Sequence, residues 1–358
     1  MKYFIIAGET SGDLHGSKVV KELQQLDKHA VFKGVGGNYL QQEGVSLIFG
    51  LERLSFMGFV EVVKNIFTII RNFRAVKKEI KIFEPDIVLL IDYPGFNLRM
   101  AKWCKQNGIK VAYYISPTIW AWHESRVHTI KKYVDVMLCI LPFEKAFYLK
   151  HHYTKAYYVG HPLMDEILVS NREKNEIKST RNSIALLPGS RNQEINKLLP
   201  ILFRVCSNFP NEHFLISAIS PLKDRYLNPL PTNAQLVFDN TYAVLEQSKA
   251  AVVCSGTATL ETALFRVPQV VVYKTSWINY FIGKLLIKVK FISLPNLIAE
   301  KKIIQELIQD ACSEENINIE LNKLLQGSTE AFYKDMNDKL EQKNASKNVA
   351  KLIYDIVA

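Results

Sequence analysis

Short apolar, β-branched runs alternate with helix-patterned stretches along most of this 358-residue chain. In the first half these runs predict strands at Tyr3–Ala7, Val31–Lys33, Ile87–Ile91, Val111–Ile115, Val136–Ile140 and Tyr157–Val159. The second half repeats the alternation, with runs at Ile184–Leu187, Phe214–Ala218, Gln235–Phe238, Ala251–Cys254 and Val270–Tyr273. Strands separated by helices need crossover connections, which make them parallel neighbours in a sheet covered on both faces. The alternation therefore predicts an α/β fold with doubly wound parallel sheets.

The length and composition narrow the class of protein further. A chain of this length predicts about two domains, and 48% hydrophobic with 22% charged residues is a globular composition. The five cysteines are scattered and form no C-x-x-C pair, which favours a reducing cytoplasm over disulfides or structural zinc. The first residues read as a strand entering a turn rather than a signal peptide, and no apolar run is long enough to span a bilayer. The net charge of +10 favours an anionic partner.

Ligands of doubly wound sheets bind beyond the carboxyl ends of the strands, so the residues after each strand are the candidates for a site. The turn Gly8–Gly16 follows the first strand, but it is not a G-x-G-x-x-G sequence. The second strand ends in Gly34–Gly37 without the acidic residue that holds a ribose, which argues against a dinucleotide site and a dehydrogenase. His15 is a candidate catalytic or substrate-contacting group; the alternative is a packing or capping histidine.

Two further strands end in residues that suit a substrate site. Asp92 follows Ile87–Ile91, where its carboxylate is placed to act as a general base or to organise a Pro-Gly turn. The stretch Ser116–His123 holds two of the four tryptophans. Such rings are suited to bind a sugar ring or a lipid chain; the alternative is that they pack between domains.

Two turns in the second half predict anion binding. In Leu186–Glu194 a strand ends at a Pro-Gly turn, and Ser190 is predicted to cap the next helix. Arg191 adds a permanently charged, planar guanidinium group at the same place. In Ser255–Glu261 small residues open another helix, and Glu261 is placed to bridge two ribose hydroxyls. The alternatives are an ordinary strand–turn–helix for the first turn and a capping-box glutamate for the second.

Two basic amphipathic segments, Val60–Phe83 and Trp277–Ile292, carry large apolar side chains beside lysines and arginines. Each is predicted to bury one face in its own core, and each also suits an anionic membrane surface. Nucleic acid is not favoured, because the basic residues are not interleaved with a known binding motif. No D-x-D pair that would hold a metal on a sugar nucleotide occurs.

Nine sequence blocks, in order, closely resemble the lipid-A-disaccharide synthase family. They are GETSGD (8–13), SFMGFVEV (55–62), IDYPGFN (91–97), SPTIWAW (116–122), LPFEKAFY (141–148), GHPL (160–163), LPGSR (187–191), SGTATLE (255–261) and SLPN (293–296). The resemblance implies a GT-B glycosyltransferase in which two Rossmann-like doubly wound domains face a central cleft. Residues 1–165 would bind the acceptor, 166–339 the donor, and helices at about 340–358 would pack back on the first domain.

The resemblance also implies a reaction and a location. The family transfers 2,3-diacylglucosamine from UDP to 2,3-diacylglucosamine 1-phosphate, which is called lipid X, and forms a β(1→6) disaccharide with inversion and without metal or cofactor. Its members are peripheral to the cytoplasmic face of the inner membrane of Gram-negative bacteria, and a homodimer is a candidate assembly. The alternatives are another GT-B enzyme, such as a UDP-N-acetylglucosamine 2-epimerase, and a non-catalytic, membrane-associated UDP-sugar-binding protein.

The same resemblance suggests roles for individual residues. Asp92 would deprotonate or position the acceptor 6-hydroxyl, and Arg191 would neutralise the departing UDP. Because some family members carry an acidic residue at the position of Gly95, that position is not a required base. The expected donor-binding residues are Ser190, Arg191, Ser255, Gly256, Thr257, Glu261, Asn296 and Gln305. The expected acceptor-side residues are Ser11, Asp13, His15, Ser116 and Trp120, of which Asp13 and His15 are the reserve candidates for the base.

Overall fold

The computed structural model divides the chain into two compact units, Met1–Asp165 with Gln342–Ala358, and Glu166–Glu341. The structure describes residues 1–54, 66–173, 181–226, 229–286, 289–327, 333–340 and 344–358. The SFMGFVEV block and most of the charged stretch 171–180 lie outside these residues. No helix in the described ranges is both long and apolar enough to cross a membrane.

Unit 1 contains a seven-stranded sheet in the order β3-β2-β1-β4-β5-β6-β7, and every pair in it is parallel. Its strands are β1 (Lys2–Ala7), β2 (Val31–Val35), β3 (Ser46–Leu47), β4 (Ile87–Ile91), β5 (Lys110–Tyr114), β6 (Val136–Cys139) and β7 (Ala156–Tyr158). Its helices are α1 (Thr10–Leu26), α2 (Asn38–Gln42), α3 (Ile66–Phe83), α4 (Pro94–Gln106), α5 (Arg126–Tyr133), α6 (Pro142–Lys150) and α15 (Ala345–Val357). A helix α7 (Pro162–Glu173) contains the division between the units.

Burial of the strands explains why they read as continuous apolar runs. Every residue of β4 is buried, because helices cover both faces of the sheet. Helices α3, α4 and α5 pack on one face, and α1 and α15 pack on the other. The start of α15 is held by Asp165, whose carboxylate accepts the backbone N–H groups of Asn344 and Ala345 at 2.7 Å each.

Unit 2 contains a six-stranded parallel sheet in the order β10-β9-β8-β11-β12-β13. Its strands are β8 (Ser183–Leu187), β9 (His213–Ala218), β10 (Ala234–Phe238), β11 (Ser248–Cys254), β12 (Gln269–Tyr273) and β13 (Gln305–Ile308). Its helices are α8 (Asn192–Asn208), α9 (Thr241–Glu246), α10 (Thr257–Leu264), α11 (Trp277–Leu286), α12 (Leu294–Ala299), α13 (Glu314–Gln326) and α14 (Lys334–Lys339).

The strand orders place one topological switch point in each unit. In unit 1 the chain order reverses between β1 and β4, and in unit 2 between β8 and β11. The crevice at such a point is where ligands bind in open α/β sheets. The residues that follow these four strands are the turns at Gly8 and Asp92, and the turns at Pro188 and Ser255.

The predicted fold class, two Rossmann-like doubly wound parallel sheets, is confirmed. The eleven predicted strands all form, with ends shifted by up to three residues. Two strands, β3 and β13, were not predicted. β3 has only two residues, and β13 carries Gln305 and Glu306 within its four residues, so neither shows a continuous apolar run.

Candidate active site

A cavity of about 360 Å³ opens at the switch point of unit 2, between the ends of β8 and β11. It brings together six of the predicted donor-binding residues, Ser190, Arg191, Ser255, Gly256, Thr257 and Glu261. These residues come from two turns that are 65 positions apart in the sequence, counted from Ser190 to Ser255. The parallel pairing of β8 with β11 makes the two turns neighbours.

The first turn is shaped by Gly189 and Glu194. Gly189 has φ +104°, and a Cβ atom there would lie 2.5 Å from the Oε2 of Glu194, so only glycine fits. Glu194 Oε2 accepts the backbone N–H groups of Ser190 and Arg191, each at 3.1 Å. The prediction that Ser190 caps the helix is wrong: α8 begins at Asn192, Arg191 is its N-cap, and Glu194 closes the cap. The backbone N–H groups of Ser190 and Arg191 are thus already paired.

The cationic group of the first turn is the Arg191 guanidinium. Its side chain is 78% exposed and lies beside Glu194, with Nη1 3.6 Å from Oε1. With the amides of Ser190 and Arg191 occupied, this guanidinium is the cationic group through which the turn can meet an anion.

The second turn presents the N-terminus of α10, the end of a helix at which its dipole attracts negative charge. Gly256 precedes it with φ +154°, and the Ser255 hydroxyl donates to the carbonyl of Ile292 at 2.9 Å. Glu261 lies one turn into the helix. Its burial and the neighbouring Glu166 carboxylate raise the pKa of Glu261 to about 7. Near neutral pH this carboxyl therefore exchanges easily between accepting and donating hydrogen bonds.

The cavity also contains polar residues that the sequence analysis missed. Ser217, in β9, and Thr241, at the start of α9, are joined by a 2.8 Å hydrogen bond between their hydroxyls, and both line the cavity. Each lies at or just beyond the carboxyl end of a strand, which is the signal that would have found them.

Asn296 and Gln305 occupy different surroundings from those expected. Asn296 is fully buried, and its amide is saturated: Nδ2 donates to Ile304 and to Glu306, while Oδ1 accepts two backbone N–H groups at 2.8 and 2.9 Å. It thus fixes the segment between α12 and β13 and has no capacity left for a ligand. Gln305 begins β13 and pairs with Val270, so it lies at the end of the strand away from the cavity.

The glutamine at the ligand-binding end of β13 is Gln309. It is buried and exchanges two hydrogen bonds with the backbone of Thr275, at 2.8 and 3.3 Å. It thereby fixes the loop between β12 and α11.

In unit 1, Asp92 stands at the switch point between β1 and β4. Asp92 and Tyr93 both have left-handed backbones, with φ of 45° and 48°. The strained turn is held from several sides: the Asp92 N–H donates to Tyr114, and the Asp92 carbonyl accepts Tyr113 Oη at 2.6 Å and Asn97 Nδ2 at 2.8 Å. Burial and the carboxylate of Glu9 raise the pKa of Asp92 to about 6. This places a partly buried carboxyl in the range suited to general-base catalysis at neutral pH.

Across the same switch point, the ring of Tyr93 leaves no room for a side chain at Gly8. A Cβ atom at Gly8 would lie 2.3 Å from that ring. Tyr93 is anchored in turn by its hydroxyl, which donates to the carbonyl of Leu54 at 2.8 Å.

The structure separates the other expected acceptor-side residues. Ser11 is exposed in the first turn of α1. Asp13 is buried, and its carboxylate accepts the N–H groups of Gly37, Tyr39 and Leu40 at 2.7 to 3.2 Å. This geometry makes the Asp13 carboxylate a cap for the start of α2, and its role as a reserve base stays a prediction. His15 lies near His161. Burial and the neighbouring His15 lower the pKa of His161 to about 3, so His161 is neutral.

The loop after β5 is anchored to α6 by Ser116 and Trp120. The Ser116 hydroxyl bonds to Tyr148 Oη at 2.8 Å, and both groups are buried. Trp120 Nε1 donates to Glu144 Oε1 at 3.2 Å, and its ring packs edge-on against Phe143 with centroids 4.8 Å apart. Burial raises the pKa of Glu144 to about 8. Glu144 was not predicted; its place in a Pro-x-Glu helix start after a strand was the available signal.

No group of three or more His, Cys, Asp or Glu side chains within the described ranges is arranged to hold a metal ion.

Comparison with known proteins identifies the family. The family model described as lipid-A-disaccharide synthetase matches residues 3–356. The lipid-A-disaccharide synthase of Syntrophus aciditrophicus is 39% identical over 335 residues, which are 90% of this chain and 87% of that protein. The chain belongs to the lipid-A-disaccharide synthetase family.

Solved structures place this family member in the GT-B fold. The UDP-GlcNAc 2-epimerase of Neisseria meningitidis superposes with a TM-score of 0.66 at 14% identity, covering 100% of this chain and 99% of that one. The glycosyltransferase of kitacinnamycin gives a TM-score of 0.69 at 12% identity, covering 100% and 99%. At such low identity these similarities concern the fold alone.

Proposed function

We propose that this protein is a lipid-A-disaccharide synthase, a metal-independent, inverting glycosyltransferase. It transfers 2,3-diacylglucosamine from UDP to the 6-hydroxyl of 2,3-diacylglucosamine 1-phosphate, and releases UDP and the β(1→6) disaccharide 1-phosphate. Membership of the family supports the reaction. The observation that carries the assignment of the donor is the cavity at the unit 2 switch point, where Arg191 and the N-terminus of α10 converge.

In this proposal Asp92 takes the proton of the acceptor hydroxyl. The oxygen then bonds to the anomeric carbon as the bond from that carbon to the diphosphate breaks, and UDP leaves with the electron pair. The raised pKa of Asp92 supports its role as the base, because it keeps the carboxylate basic enough to accept a proton near neutral pH.

Arg191 meets the charge that develops on the diphosphate. Preorganised charge of this kind is often worth a few kcal/mol in the transition state, about 3 being typical. The N-terminus of α10, with Ser255, Gly256 and Thr257, holds the phosphates, and Glu261 accepts the ribose hydroxyls. Ser190 contributes its hydroxyl only, because Glu194 already holds its amide.

Incubation with both diacylglucosamine substrates, followed by mass analysis, tests the proposal. We expect disaccharide and UDP in equal amounts from the wild type and neither from Asp92→Asn. A change of the UDP-sugar without the acceptor would identify an epimerase instead. Failure to release UDP with both lipids present would identify a non-catalytic binding protein.

The partner surface that we propose is the anionic face of the inner membrane, approached from the cytoplasm. Helices α3, α4 and α5 share one face of unit 1, and together they carry eleven Lys and Arg residues and one acidic residue, Glu79. This excess of ten equals the net charge of the whole chain. Phe67, at the start of α3, adds an apolar group that is 83% exposed. Basic residues beside exposed apolar ones suit an anionic bilayer.

Sedimentation with vesicles tests this surface. We expect the protein to bind anionic vesicles and this binding to weaken with salt. The double substitution Lys78→Glu with Lys81→Glu should abolish the binding. The pair Lys347→Glu and Lys351→Glu, on α15, should leave binding unchanged. An equal loss of vesicle binding in both double variants would contradict a specific membrane-binding surface on α3, α4 and α5. The family resemblance also leads us to propose a homodimer, which light scattering tests.

A further inference from the structure

Helix α11 exposes three large apolar side chains on one face. Trp277, Phe281 and Leu285 are four residues apart and are 52%, 58% and 84% exposed. Residues at this spacing lie along one side of a helix. The rings of Trp277 and Phe281 lie beside each other with centroids 6.0 Å apart, and Leu285 continues their line along the helix, so we call the three side chains the α11 strip. Exposed apolar patches of this kind mark binding surfaces.

The helix that carries the strip follows the strand next to β11, whose end opens into the cavity of unit 2. Helix α11 follows β12, which lies beside β11 and runs parallel to it, so both strands end at the same edge of the sheet. Before the helix, Gln309 clamps Thr275 through two hydrogen bonds. After it, the carbonyl of Ile292 accepts the hydroxyl of Ser255 in the second anion-binding turn.

The chemistry of the strip differs from that of the cavity beside it. Helix α11 carries no acidic residue, and its one cation is the exposed Lys284. The cavity is lined by hydroxyls, backbone amides, Arg191 and Glu261, which suit a nucleoside diphosphate. A ligand that reaches both surfaces has an anionic, hydroxylated end and an apolar end.

We propose that the α11 strip holds an acyl chain of the donor. This inference rests on the proposed function, in which the donor joins UDP to a sugar acylated at C2 and C3, the next two ring carbons after its anomeric carbon C1. The acyl chains of such a molecule begin within one sugar ring of the diphosphate. Ser255 lines the cavity and is hydrogen-bonded to Ile292, six residues after the end of α11, so the strip belongs to the same edge of unit 2 as the cavity.

The test compares the pair Phe281→Ser and Leu285→Ser with the control Ile319→Ser, whose side chain on α13 is 52% exposed. Steady-state kinetics in detergent micelles use the diacylated donor, and inhibition by UDP provides the probe without acyl chains. We expect the KM for the donor to rise about tenfold or more in the pair, UDP inhibition to change less than twofold, and the control to match the wild type.

Two results would overturn the inference. One is an unchanged KM for the donor in the pair. The other is an equal weakening of UDP inhibition, which would mean that the cavity itself had been damaged. If the pair loses only binding to substrate-free vesicles, the strip is a membrane contact and the inference is also wrong.

A binding measurement separates this inference from the proposed function. Titration with the diacylated donor should shift tryptophan emission to the blue, titration with UDP should not, and Trp277→Phe should remove the shift. A wild type that shows this shift but forms no disaccharide overturns the function and retains the acyl-chain site. Absence of the shift in an active wild type overturns the site alone.

Discussion

Glu194 holds the backbone N–H of Arg191 at 3.1 Å and lies 3.6 Å from its guanidinium, so one carboxylate orients both the amide and the side chain. Glu194 and Arg191 therefore have different roles in the first anion-binding turn. Glu194 shapes the turn from within, and the exposed guanidinium of Arg191 is left to meet a ligand.

Replacing Arg191 by alanine should weaken UDP binding by about ten- to a hundredfold, as expected for one hydrogen bond to a charged group. Arg191→Lys should restore only part of this loss, because an ammonium group cannot make the two-pronged contact of a guanidinium. Calorimetric titration with UDP measures the effect. Arg204→Ala, an exposed arginine on the same helix that pairs with Glu314, is the control and should bind UDP normally. Unchanged affinity in Arg191→Ala would remove Arg191 from the donor site.

Replacing Glu194 by alanine should lower the free energy of unfolding by about 1 kcal/mol, the usual cost of losing a helix cap. It should also free the amides of Ser190 and Arg191, and so weaken UDP binding less than Arg191→Ala does. Denaturant titration and calorimetry of the same sample measure both effects. A loss of UDP affinity larger than that of Arg191→Ala would show that Glu194 itself contacts the ligand.

The pH dependence of turnover should report Asp92. Because the carboxylate is the active form and the pKa is raised to about 6, kcat/KM should fall as the pH drops below that value. Glu9→Gln should move this acidic limb to lower pH, because it removes a negative charge that disfavours ionisation of Asp92. Glu52→Gln, an exposed glutamate of the same unit, is the control. A limb that stays in place in Glu9→Gln would assign it to another group.

The buried carboxyl of Glu144 makes a separate prediction about stability. Its pKa in the folded protein is about 8, above its ordinary value of 4.5, so the folded state binds the additional proton between these values. The free energy of unfolding should therefore decrease, through this group, as the pH rises from about 5 to 8, and change no further above that. Glu144→Gln removes this contribution, so its stability relative to the wild type should improve over the same interval. Denaturant titrations at several pH values measure the difference, and a constant difference would contradict a protonated Glu144.

Much of the fold and part of the site could be predicted because their signals are local. The buried runs of β1, β4, β8 and β11 are continuous in sequence, and the turns that follow them carry glycine, proline or aspartate. Parallel strands bring their carboxyl ends to one edge, so the pattern alone indicated which turns would face a ligand. That reasoning led to Asp92, Arg191 and Glu261. Strand β13 has no such local signal, because its four residues include Gln305 and Glu306, and its pairing with β12 is what makes it a strand.

The sequence by itself determined the two-sheet architecture and the turns at which chemistry can occur, since alternation, turn residues and helix starts depend on neighbours along the chain. Only the tertiary structure decided which polar groups remain available. Asp13 is occupied by amides 24 to 27 residues away, Asn296 is bound by the residues around Ile304, and the amide of Arg191 is taken by Glu194. A buried polar group must find a partner wherever packing supplies one, and packing is set by contacts between residues that are distant in sequence.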